Sequence, residues 1–192
     1  MQQASTTMCN KAYGCINVKV GDEVKVASVI HNIFPDVEVH AIMMMKHKRC
    51  KGVRSYSCDV MVPGYVFFNA NADAPVSKFL TITSVNRILK YDNSDWHLRG
   101  DDLFVSKWIF DNNGVIGISV AFMEGDVVRI VDGPLKQVEG KIVRINKRSR
   151  SAMVLLGFRQ QAFKVWLPFE WMEKATDTNV ASHSHICLNI VD

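Results

Sequence analysis

Residues 123–158, MEGDVVRIVDGPLKQVEGKIVRINKRSRSAMVLLGF, constrain the fold more than any other stretch of this chain. Apolar and charged side chains alternate here with a period of two. Val128 and Ile130 flank Arg129, and Val143 and Ile145 flank Arg144. An amphipathic helix would repeat its apolar positions every three to four residues, so the alternation specifies half-buried strands. Turn residues fall at Asp132-Gly133-Pro134, Glu139-Gly140, Lys147 to Ser151 and Arg159 to Gln161. Four or five strands this short, with turns this regular, predict a small β-barrel.

The same stretch carries the charge. From Met123 to Lys174 there are ten Lys/Arg against six Asp/Glu, whereas the rest of the 192 residues holds thirteen of each. The whole net charge of +4 is therefore local, and a localised cationic surface speaks of an anionic partner. With the apolar set inside the barrel, Arg129, Arg144, Lys164 and Trp166 point outward, joined by Lys147, Arg148 and Arg150 at a turn. Such a surface offers cations for phosphates and an indole on which an unpaired base can stack. Alternation alone does not say which of these side chains share one side, and a solvated basic face is the competing reading.

Upstream, Tyr13 to Val18 reads as a strand. GDEVKVASVIHNIF follows with Val26, Val29, Ile30 and Ile33 at helical spacing, acidic residues in its first turn, and Pro35 as its stop. Val37 to Met45 is β-rich, and Lys46 to Arg54 reads as a basic loop. Its Lys46, Lys48, Arg49 and Lys51 are a second, weaker candidate for nucleic-acid contact. Strands over 55–62 and 65–69, paired through Pro63-Gly64, precede a weak helix in APVSKFLTIT and a last strand in VNRILKY. This order predicts an antiparallel α+β domain over 11–91. A linker over 92–120 contains a short helix, with Leu103, Phe104, Trp108 and Ile109 towards one side, stopped at Asn112-Asn113-Gly114. The barrel spans 121–175, and the tail 176–192 lacks a packed pattern.

Catalysis finds little support. His183 and His185 form an H-x-H near Cys187, but the tail offers no firm frame for the three or four convergent ligands a metal needs. Cys50 sits among cations without a paired base. Phosphate-loop and nucleophile-elbow signatures are missing. Five cysteines without a C-x-x-C pair suggest free thiols in a reducing cytoplasm. No apolar run nears the ~20 residues of a membrane span, and the N-terminus has no signal-peptide pattern. The expectation is a cytoplasmic binding protein, not an enzyme, with no cofactor and no metal.

GDVVRIVDGPLKQVEGKIV resembles the KOW motif, and VMVPGYVFF (60–68) resembles the signature segment of the NGN domain. Both in this order resemble the NusG family of transcription elongation factors, over about 11–175. The resemblance implies an NGN-like antiparallel α/β sandwich followed by an SH3-like KOW barrel. It further implies an apolar patch (Met61, Val62, Tyr65 and Phe67) that docks on the clamp helices of bacterial RNA polymerase. Ser77 and Lys78 match the contact to the opposing gate loop. Phe158 and Arg159 match the pair with which general family members meet a ribosomal protein, and a charge in that pair disfavours such coupling.

The linker and the basic KOW unit resemble the LoaP-type processive antiterminators, which act on particular operons and recognise RNA hairpins in leader transcripts. The expected protein is thus a monomeric, operon-specific antiterminator. Its partners would be RNA polymerase, a leader RNA hairpin, and upstream or non-template DNA. The alternatives are a general NusG factor contacting Rho or the ribosome, and a ribosome-associated KOW protein.

Overall fold

The computed structural model describes residues 11–50, 53–91 and 95–172. In the N-terminal half the period-two alternation buries both faces of one sheet. Strands β1 (Lys11–Val18), β2 (Glu38–Ala41), β5 (Tyr65–Asn71) and β6 (Val85–Ile88) lie in the order β2-β5-β1-β6, with antiparallel neighbours. Ile16, Val66 and Phe68 face helix α1 (Glu23–Ile33), meeting its Val26 and Ile30 and the Phe79 of a 3-10 helix at Val76–Thr81. Cys15 and Phe67, one residue out of phase, belong to a second core on the opposite face. Successive side chains of a strand point to opposite faces, so the two strands serve both cores.

That second core joins the two halves of the chain. Helix α2 (Gly100–Asp111) buries Val105, Trp108, Ile109 and Phe110 between the N-terminal sheet and the C-terminal strands. The Trp108 indole donates to Pro134 O at 3.1 Å. The short helix expected within a linker over 92–120 is therefore a wedge inside a core that both halves share. Phe104, assigned to the same side as Trp108 from sequence, is instead exposed, with Lys141 Nζ 4.6 Å from its ring centre. The helix does stop at Asn112-Asn113-Gly114, where Asn113 and Gly114 take positive φ.

Two further expectations change. The basic loop at 46–54 is a hairpin of β3 (Met43–Cys50) and β4 (Val53–Val60), in continuous antiparallel register. Its cations conceal an alternation in which Lys46 and Lys48 are exposed and His47 between them is half-buried. The strands flanking Pro63-Gly64 do not pair with one another. β4 pairs with β3, which also runs parallel to β7 (Val115–Ile116), while β5 joins the other sheet. Gly64, at φ 82°, makes the switch. The buried Glu23 carboxylate pins that turn, accepting from Gly64 N at 2.6 Å and Gly21 N at 2.9 Å.

The C-terminal strands are β8 (Ser119–Glu124), β9 (Val127–Asp132), β10 (Ile142–Asn146), β11 (Ser151–Phe158) and β12 (Gln161–Trp171), ordered β10-β11-β12-β8-β9. The barrel expected from the turn spacing takes the form of a half-barrel. Its end strands β9 and β10 are joined by the four-residue helix α3 (Pro134–Gln137) and a 3-10 turn at Glu139–Lys141, not by a ladder. Leu135 on α3 is fully buried and helps fill the open side, beneath Val154, Leu156, Leu167 and Phe169.

Candidate nucleic-acid interface and the apolar patch

Register sorts the outward-pointing side chains that alternation left unsorted. Arg144 pairs across the ladder with Met153, and Met153 with Trp166. One step along, Leu155 pairs with Lys164. Cross-strand partners project on the same face, so these five residues form one surface. Trp166, 41% exposed, lies at its β12 end. Arg144, Arg148 and Lys164 are exposed and have no ion-pair or hydrogen-bonding side-chain partner among the described residues.

The other candidate cations are engaged. Arg129 pairs with Glu124 at 2.8 Å on the β8–β9 side. Lys147 donates to Asp126 O at 2.8 Å, and the half-buried Arg150 pairs with Glu170. On the hairpin, Lys46 pairs with Asp59 at 3.2 Å and Lys48 is exposed. The Arg49 side chain, Lys51, and the tail with His183, His185 and Cys187 lie outside the described residues.

The proposed polymerase patch sits in the shared core. Phe67 is 1% exposed, while Met61, Val62 and Tyr65 are partly buried against the same cluster. The tip of the β11–β12 hairpin is seated here. The Phe158 ring lies 5.4 Å from Tyr65, edge to face, and 5.3 Å from Phe67. Ser77 and Lys78 are exposed on the 3-10 helix.

A polar clasp holds the tip from the other side. Arg159 and Gln160 form the two-residue turn, both at positive φ, as a tight hairpin requires. Arg159 N donates to Asp102 Oδ1 at 2.7 Å, and Tyr91 donates its hydroxyl to Asp102 Oδ2. Gly157 lets α2 approach, since a Cβ there would lie 2.8 Å from Asp101 Oδ2. Sequence reasoning passed over Asp102 because a carboxylate on an apparent linker looks like a solvated one. Glu170 was passed over likewise.

Burial, followed by the hydrogen bond to Asp102, pushes the Tyr91 phenol from 10.0 up to about 12. A raised pKa means that folding favours the neutral phenol. Its contribution to stability is whole below pH 10 and is lost as pH climbs towards 12. Thermal midpoints measured across that range should fall less in Tyr91→Phe than in the parent. Equal slopes would show that Tyr91 does not couple ionisation to the clasp. Burial also raises the Cys15 thiol well above its ordinary range, which makes it a poor nucleophile.

No group of three or more His, Cys, Asp or Glu suited to a metal ion occurs among the described residues. None of the described helices is long and apolar enough to cross a membrane. Residues 124–156 match the family model of the KOW motif, covering β9, β10 and most of β11. No curated protein matches the chain by sequence. Among solved structures, one described as "Domain interaction in Thermotoga maritima NusG" is similar at 16% identity and a TM-score of 0.47, covering 82% of this chain and 93% of that one.

Proposed function

We propose that the chain is a transcription elongation factor of the NusG type acting as an operon-specific processive antiterminator. Its KOW half-barrel would hold leader RNA, and its N-terminal half would bridge the polymerase clamp helices and gate loop. The observation that carries the RNA part is the row Arg144–Met153–Trp166, exposed at Arg144 and Trp166 and flanked by Lys164, on a KOW-matching unit. Cations around an exposed indole suit phosphates and a splayed base. An A-form duplex hides its base edges in a deep groove, so a hairpin with unpaired bases fits this surface better than plain duplex.

The polymerase part assigns Met61, Val62, Tyr65 and Phe67 to the clamp helices, and Ser77 and Lys78 to the gate loop. Since Phe158 packs against Tyr65 and Phe67, engagement requires the tip to leave. A bridge across the clamp would disfavour its opening at pauses and terminators, and about 1.4 kcal/mol shifts such an equilibrium tenfold. The general-factor alternative is less well supported, because the pair it would present to a ribosomal protein, Phe158 and Arg159, carries a charge.

The test is binding of the full chain to bacterial core RNA polymerase. Val62→Glu with Tyr65→Glu should abolish it and leave RNA binding intact. Folding of the variant is checked by its thermal transition. Unchanged polymerase binding by a folded variant would discard the patch.

A further inference from the structure

Glu170 on β12 ties the basic turn to the N-terminal half. Its Oε2 accepts from Arg150, the last residue of that turn. Its Oε1 faces the β3–β4 hairpin, accepting from the Tyr56 hydroxyl at 3.1 Å with His47 Nδ1 at 3.7 Å. Tyr56 and His47 are cross-strand partners, with rings 5.6 Å apart.

β12 sets the order of these contacts. Lys164, Trp166, Pro168 and Glu170 alternate onto one face of the strand. Lys164 and Trp166 are exposed, Pro168 is buried, and Glu170 is half-buried. The stacking surface and the hairpin contact are therefore neighbours on one strand, four residues or roughly 13 Å apart.

We propose that Glu170 sets nucleic-acid binding at the basic turn against docking of the β3–β4 hairpin. A phosphate drawn to Arg150 competes with Glu170 for the guanidinium and is repelled by its carboxylate. When phosphate wins, the Glu170 carboxylate is left at a half-buried contact without its cation, and that disfavours the docked hairpin. By linkage, the docked hairpin weakens RNA binding by the same factor as RNA weakens docking, so loosening the hairpin strengthens RNA binding up to that factor. The turn thus has two states: Arg150 held by Glu170 with the hairpin docked, or Arg150 on phosphate with the hairpin released. Lys147 makes no such exchange, since its partner is the uncharged Asp126 carbonyl.

This inference rests on the RNA reading of the half-barrel, and one experiment separates the two. The full chain and four variants are titrated at low salt with a short RNA hairpin carrying an unpaired loop. The variants are Glu170→Gln, Tyr56→Phe, Arg150→Gln, and Glu170→Gln with Arg150→Gln. Glu170→Gln should tighten binding about two- to fivefold, the scale of a part-exposed ion pair. The gain should vanish when Arg150 is already Gln. Tyr56→Phe should tighten binding in the same direction, because Tyr56 lies on the hairpin and reaches the RNA through Glu170. If Tyr56→Phe binds like the parent, Glu170 acts only as a local charge and the coupling is wrong. If Glu170→Gln gains as much without Arg150, the competition for Arg150 is wrong. If the parent binds no RNA, the RNA reading itself falls and takes the coupling with it.

Discussion

Phe158→Ala should release the half-barrel tip and raise affinity for RNA polymerase at least tenfold. The ring is 8% exposed and lies against Tyr65 and Phe67, contacts that cross between the two halves of the chain. Truncating a buried Phe to Ala costs about 3 to 5 kcal/mol. Much of that loss falls on docking, because the ring sits at the end of β11 and not midway along it. What remains at the tip are the hydrogen bonds of Arg159 N to Asp102 and of the Arg159 guanidinium to Lys90 O at 3.4 Å, with the close approach of Gly157 to α2. Thermal unfolding should then change from one transition towards two, with the first at lower temperature. Polymerase titrations on the same samples should tighten, because the Tyr65 and Phe67 rings no longer have to give up a partner. A single transition at the parent temperature with unchanged polymerase affinity would show that Phe158 does not gate the patch.

The second large effect is on RNA. Arg144, Arg148 and Lys164 are the turn and platform cations with neither an ion-pair nor a hydrogen-bond partner among the described residues. Three phosphate contacts imply a log–log salt slope of about −2 to −3, with ~0.7 to 0.9 ions released per contact. Affinity should then drop roughly twenty- to fortyfold between 50 and 200 mM salt. Changing all three residues to Gln should flatten the slope and weaken every RNA alike. Trp166→Ala should instead cost about 1 to 3 kcal/mol with little change in slope, as expected for a lost base stack. A plain duplex of the same stem should be less sensitive to Trp166→Ala. Full-length protein is the right sample, since α2 and the N-terminal sheet complete the core beneath this unit. If the triple Gln variant binds as well as the parent, the platform is only a solvated face.

Much of this was legible in the residues. Alternation set the faces of β11 and of β12 up to Leu167, and the turn residues set the strand ends. In β10, by contrast, a bulge between Ile142 and Arg144 breaks the alternation and leaves Val143 exposed. In a strand, facing direction is a local property of the backbone. The α1 helix and its stop were legible for a similar reason: helical spacing and proline act within a few residues. The cationic bias of the C-terminal half needed only counting.

Pairing was a different matter. Pro63-Gly64 looks like a hairpin turn, yet it passes the chain between two sheets, and its geometry depends on Glu23, forty-one residues away. Lys46, His47 and Lys48 look like a loop because charge hides the alternation. The half-buried position of His47 appears only once β12 is beside it.

The sequence by itself determined most of the strands, the faces of β11 and of β12 up to Leu167, and the place of the excess charge, because these follow from neighbours along the chain. Tertiary structure alone decided which cations are available and which are held, as Arg129 and Arg150 have Glu124 and Glu170 within reach and Arg144 and Lys164 have no such carboxylate among the described residues. It also decided that Phe158 meets Tyr65 and Phe67. Those contacts join residues about ninety positions apart, and no local pattern encodes a partner at that distance.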